Sequence, residues 1–136
     1  MNLVDKLLKM DAKKAEELQT GTVKSKRLAK LLGVDEVEVQ IREVKSRRVN
    51  DLVAYQIDQK GKFDYSKSYD AKLMMCVEGI VEPDLRNKDL QAHFDCKSAK
   101  DLCEKLFGME VAEISDAISL LSGVDTEEEH EETVKN

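Results

Sequence analysis

The chain has 136 residues, 41% hydrophobic and 37% charged, with three Phe, three Tyr and no Trp. A chain of this length builds one modest core, and so few aromatics argue against a stacking platform for bases or sugars, leaving aliphatic packing to supply most of the stability. The net charge of −6 is uneven: residues 125–136, DTEEEHEETVKN, hold six acids and one lysine, whereas the first 30 residues carry eight bases against four acids.

The opening MNLVDKLLKMDAKK interrupts its apolar residues with charges and has no h-region or cleavage site of a signal peptide. No run approaches the roughly 18 apolar residues of a membrane span. Three cysteines without framework spacing fit a reduced, cytosolic protein.

In chain order, residues 3–18 predict an amphipathic helix, with Leu3, Val4, Leu7, Leu8, Ala15 and Leu18 on one side. Asn2 is its expected cap, and Thr20-Gly21 its expected end. TVKSKRL, residues 22–28, predicts a weak strand. EVEVQIREV, residues 36–44, predicts a firm one, because Val37, Val39 and Ile41 alternate with Glu38, Gln40 and Arg42. AKLLG between them reads as a helical turn stopped by Gly33.

The period then changes to 3.6. Ser46 is the expected cap of a helix carrying Val49, Leu52, Val53 and Ile57, ending near Gly61. A second helix, starting between Ser66 and Ser68, places Tyr69, Leu73, Cys76, Val77 and Ile80 on one stripe. A short helix is expected near 88–94. SAKD at 98–101 reads as a capping box, Ser98 reaching forward and Asp101 back, before a helix with Leu102, Cys103 and Leu106. The last helix, 110–122, aligns Val111, Ile114, Ile118 and Leu121, with Gly123 as a left-handed stop. Residues 125–136 have too little apolar surface to offset their ordering entropy and are expected to be a disordered acidic tail. The expected organisation is a single domain over 1–124, α+β and mostly α-helical, with a small N-terminal strand pair followed by a C-terminal helical bundle.

Three constellations bear on function. LAKLLGVD within residues 25–48 looks like the first half of a helix-turn-helix, which would make 36–44 a recognition helix in the major groove and the chain a small DNA-binding regulator. That alternative is disfavoured by the β-branched alternation of 36–44 and by Glu36, Glu38 and Glu43, which phosphates would repel. The bases Lys24, Lys26, Arg27, Lys30, Arg47 and Arg48 then read as a solvated face. His93, Cys96 and Cys103 lack the paired spacing of a structural zinc site, and Cys103 lies on an apolar stripe where a thiol packs as a small hydrophobe. No G-x-S-x-G, phosphate-cradling glycine loop or H-E-x-x-H is present, so no enzyme activity, cofactor, metal or small-molecule ligand is expected.

The N-terminal helix is the more informative element. Its apolar residues Leu3, Leu7, Leu8 and Met10 either dock on the chain's own core or serve as a groove-binding, self-associating helix. The stretch CVEGIVEPDLRN, with the only proline of the chain, reads as a joint. Pro83 cannot continue a helix and biases Glu82 away from the α region. Gly79 permits a close approach, and Asp84 and Asn87 suit the cap of the next helix.

VEGIVEPDL, the later LCEKLFGMEVAEISDAISLLSG and the opening MNLVDKLLKMDAKK, in this order, resemble the XkdN-like tail assembly chaperones of long-tailed bacteriophages and phage-like elements. The resemblance runs from Met1 to about Gly123. It implies a non-enzymatic protein that binds the helical tape measure protein and keeps it soluble until the tail tube polymerises around it. It further implies self-association, residence in the cytoplasm of the bacterial host and absence from the mature virion.

Overall fold

The computed structural model describes residues 2–124. Three short strands, β1 (Thr20–Lys24), β2 (Glu38–Arg42) and β3 (Ile80–Glu82), form an antiparallel sheet in that order. The central strand was the most legible: Val39 and Ile41 are buried while Glu38, Gln40 and Arg42 stay in solvent. β1 pairs with it from Thr20↔Arg42 to Lys24↔Glu38.

Six helices follow or interleave with the strands: α2 (Lys26–Leu32), α3 (Ser46–Tyr55), α4 (Ser68–Gly79), α5 (Lys88–His93), α6 (Ala99–Phe107) and α7 (Glu110–Leu121). The core lies where α4, α6 and α7 meet the inner face of the sheet. Leu73 and Cys76 pack there with Leu102, Leu106, Phe107, Val111, Ile114 and Ile118. The architecture is α+β and mostly helical, as expected, with a third strand besides the predicted pair.

Several boundaries differ from expectation. The strand placed at 22–28 begins two residues earlier and stops at Lys24, because the Ser25 hydroxyl accepts the Leu28 N–H (3.1 Å) and starts a helix. That helix ends at Gly33 in the left-handed region, φ 69°. Lys45, not Ser46, occupies the cap position of α3, with no side-chain bond to the first turn. α3 stops at Tyr55, and Ile57 instead bridges Phe63 across a turn closed by Asp58 and Gly61. Ile80, placed on the helical stripe, is the first residue of β3, while Tyr69 of that stripe is 43% exposed.

Gly79 explains itself in the packing of α4 on α7. A Cβ there would stand 2.6 Å from Cδ1 and Cγ2 of the buried Ile118. The Glu82–Pro83 bond is cis. Asp84 does not cap α5; its carboxylate accepts the Arg86 N–H (3.0 Å) to close the preceding turn, and Asn87 caps the helix through the Leu90 N–H (2.9 Å). Ser98 accepts the Asp101 N–H (3.1 Å), the forward half of the expected box. Gly123 has φ +86°, and its N–H donates to Leu120 while that of Val124 donates to Ser119. This pair of bonds closes α7 as a Schellman motif. The acidic tail expected at 125–136 lies outside the described residues.

Candidate partner-binding site

The N-terminal helix α1 spans only Leu3–Lys9. Its start follows the expected logic: Asn2 accepts the Asp5 N–H (2.9 Å) and the Asp5 carboxylate accepts the Asn2 N–H (3.4 Å). The predicted continuation to residue 18 fails at Met10–Asp11. Met10 is extended, and the Asp11 carboxylate accepts the Lys13 N–H (3.0 Å), opening a separate 3-10 turn over Ala12–Glu16. A short acidic side chain that binds the backbone ahead of it competes with the helix it interrupts.

No residue of α1 is buried. Leu8 is 79% exposed and Leu3 69%, and Val4, Leu7 and Met10 are also in solvent. Of the two readings of this stripe, docking on the chain's own core is therefore corrected: the body leaves it uncovered. The arm joins the body at Gln19, whose N–H donates to the Glu43 carboxylate (2.7 Å) and whose carbonyl accepts the Glu43 N–H (2.8 Å). Beside this root lies a cavity of about 410 Å³ lined by Leu18, Val44, Arg42, Glu43, Lys45 and Arg86 together with the Arg48–Glu78 ion pair. The hollow thus sets four cationic side chains and two carboxylates among apolar carbon at the point where the arm leaves the body.

The helix-turn-helix alternative fails on geometry. Residues 38–42, the would-be recognition helix, are the central strand. Half of the basic cluster is engaged within the fold. Arg27 donates from Nε to Leu106 O and from Nη2 to Lys105 O, both at 3.0 Å, satisfying carbonyls at the end of α6. Lys24 pairs with Glu36 and Arg48 with Glu78.

Among the described residues no group of three or more His, Cys, Asp or Glu is placed to hold a metal ion. Cys103 is buried with Cys76. A hydrogen bond with Cys103, then burial, pushes the Cys76 thiol up. His93 instead meets Phe94 edge to face.

Sequence reasoning missed one tie altogether. The Ser25 hydroxyl donates to Glu110 Oε1 (2.6 Å), and the other carboxylate oxygen accepts the Arg27 N–H (3.2 Å). Together they fix the start of α2 on the start of α7. The partners are 85 positions apart, and no local pattern announces such a pair.

The body is α+β and mostly helical, and it leaves the apolar helix α1 outside its core. The chain belongs to the phage XkdN-like tail assembly chaperone family, whose model matches residues 4–135. The crystal structure of the protein yqbn is similar in fold, with a TM-score of 0.55 over 80% of this chain and 90% of that one at 16% identity. No curated protein matches the chain. The family's role is that of a tail assembly chaperone, and among the described residues no helix is long and apolar enough to cross a membrane.

Proposed function

We propose that this chaperone binds the tape measure protein and keeps it soluble until tail tube subunits polymerise around it. The observation that carries this reading is α1, a capped helix whose apolar stripe the body leaves in solvent. Leu3, Leu7, Leu8 and Met10 cover apolar helical surface on the partner, and release follows when the tube competes for that surface. The act is binding alone, with no cofactor or chemical step. Residues 1–124 act as one domain, self-associating, in the cytoplasm of the bacterial host, and the protein is absent from the finished virion.

The test is co-expression with the tape measure reading frame of the same genome. Tape measure protein that is insoluble alone, and soluble and co-purified with this chain, is the expected result. An intact, folded chain that neither rescues nor co-purifies it would falsify the reading.

A further inference from the structure

The chain has only six aromatic residues, three Phe and three Tyr. Phe94 and Phe107 belong to the body, Phe107 fully buried. The other four, Tyr55, Phe63, Tyr65 and Tyr69, fall within one short segment and reach the surface, Tyr65 at 83% exposure and the other three at 39–43%. A chain with so few aromatics that keeps four of them at its surface offers large rings for a partner to bury, and aromatic anchors dominate the energetics of protein interfaces.

Local bonds, not the core, hold these rings. After Tyr55 ends α3, the chain folds back on itself so that Ile57 bridges Phe63. Gly61, at φ +81°, donates its N–H to Asp58 O (3.0 Å). The Asp58 carboxylate accepts the N–H groups of Lys60 (2.8 Å) and Lys62 (2.9 Å). Phe63 and Tyr65 meet edge to face at 4.7 Å. Asp64 caps the 3-10 turn Tyr65–Lys67 through Ser66. The Tyr55 hydroxyl donates to Asp70 (2.9 Å), and Lys67 Nζ lies 5.2 Å from the Tyr55 ring centre. The surface is preorganised, which reduces the ordering entropy lost on binding.

Its charges indicate what fits. Asp58 and Asp64 direct their carboxylates at backbone and hydroxyl donors of their own turns. Lys60, Lys62 and Lys67 form no ion pair among the described residues. The segment thus offers apolar rings with ammonium groups beside them. We propose that residues 55–67 form a second docking surface, distinct from α1, for an amphipathic helical segment whose apolar stripe is bordered by carboxylates. Aromatics with lysines also suit single-stranded nucleic acid, and an oligouridine probe tests that reading.

The test uses the full chain and three probes: two synthetic helical peptides of roughly 18 residues sharing one leucine stripe, bordered by Glu in one and Lys in the other, and a labelled oligouridine. The Glu-bordered peptide is expected to bind at least about tenfold tighter than its Lys-bordered twin, and Tyr65→Ala to weaken it about tenfold or more. Tyr65→Phe should retain binding, and Lys60→Glu with Lys62→Glu should erase the preference. Equal affinity for both peptides, no binding of either, or indifference to Tyr65→Ala overturns the proposal. So does loss of binding in a Leu3→Ser/Leu7→Ser/Leu8→Ser variant with none in Tyr65→Ala, which would put the peptide on α1. Oligouridine binding that Tyr65→Ala abolishes reassigns the surface to RNA.

Discussion

Replacing Gly79 with alanine measures how tightly α4 and α7 are pressed together. The new methyl would stand 2.6 Å from two carbons of Ile118 and 2.9 Å from a third, whereas carbon atoms in contact prefer about 3.5–4.0 Å. Ile118 is fully buried, so its side chain has no solvent to swing into, and the helices must separate by roughly 1 Å. Overpacking of this kind costs about 1–3 kcal/mol. Alanine's better helix propensity offsets at most about 1 kcal/mol, and less here because Gly79 is the last residue of α4. The net expectation is a loss of about 1–2 kcal/mol, read as a urea midpoint lowered by about 0.5–1 M at unchanged slope. Ile118→Ala removes all three contacted atoms, so the double variant should lose about 1 kcal/mol less than the sum of the singles. A Gly79→Ala protein as stable as the parent, or a double variant that is simply additive, refutes the close approach as the reason for glycine.

The stripe of α1 should separate binding from folding. Leu3→Ser with Leu7→Ser and Leu8→Ser is expected to leave the melting temperature within a degree or two, since exposed substitutions shift stability by about 0.5 kcal/mol or less, while tape measure co-purification is lost; a collapse in stability would mean the helix is docked after all. Ser25→Ala breaks the tie to Glu110 and the cap of α2 at once, with an expected loss of about 1–2 kcal/mol in urea unfolding, and a midpoint equal to the parent's would show both bonds to be idle. Hydrogen bonds from Lys100, then Tyr55, hold the Asp70 carboxyl below the ordinary carboxylate range. With the folded pKa depressed, its stabilising effect is complete above the unfolded value of about 3.9 and is lost as pH falls through the folded one. Asp70→Asn should therefore flatten the acid limb of the midpoint-against-pH curve, and an unchanged limb would count against this carboxylate.

Legibility followed the range of the forces involved. The alternation of Val37, Val39 and Ile41 announced the central strand because one buried face imposes a period of two. The stripes of α6 and α7 were equally plain, since Leu102, Leu106, Val111, Ile114 and Ile118 all reach the core. β3 was hidden because its three residues follow Gly79 directly and continue an apolar helical run; only its pairing with β2 makes it a strand. The break at Met10–Asp11 was missed because a capping aspartate and a solvent-facing helical aspartate look alike in sequence. For the candidate site, Leu3, Leu7, Leu8 and Met10 could be named from spacing, but whether the body covers them depends on shape. Tyr69 illustrates the same limit: it fits a buried stripe by period but is covered only in part.

The bonds between Gln19 and Glu43 fix where the arm leaves the sheet and ask nothing of the residues before it. Leu3, Leu7 and Leu8 therefore lie under a different constraint from Gly79 and Ile118, which can change only in concert. A lineage can rewrite the outer helix one leucine at a time to follow a diverging partner without nearing the stability threshold that polices its core. Among relatives, turnover should concentrate ahead of Gln19, while the pairing of a small residue at 79 with a bulky one at 118 persists.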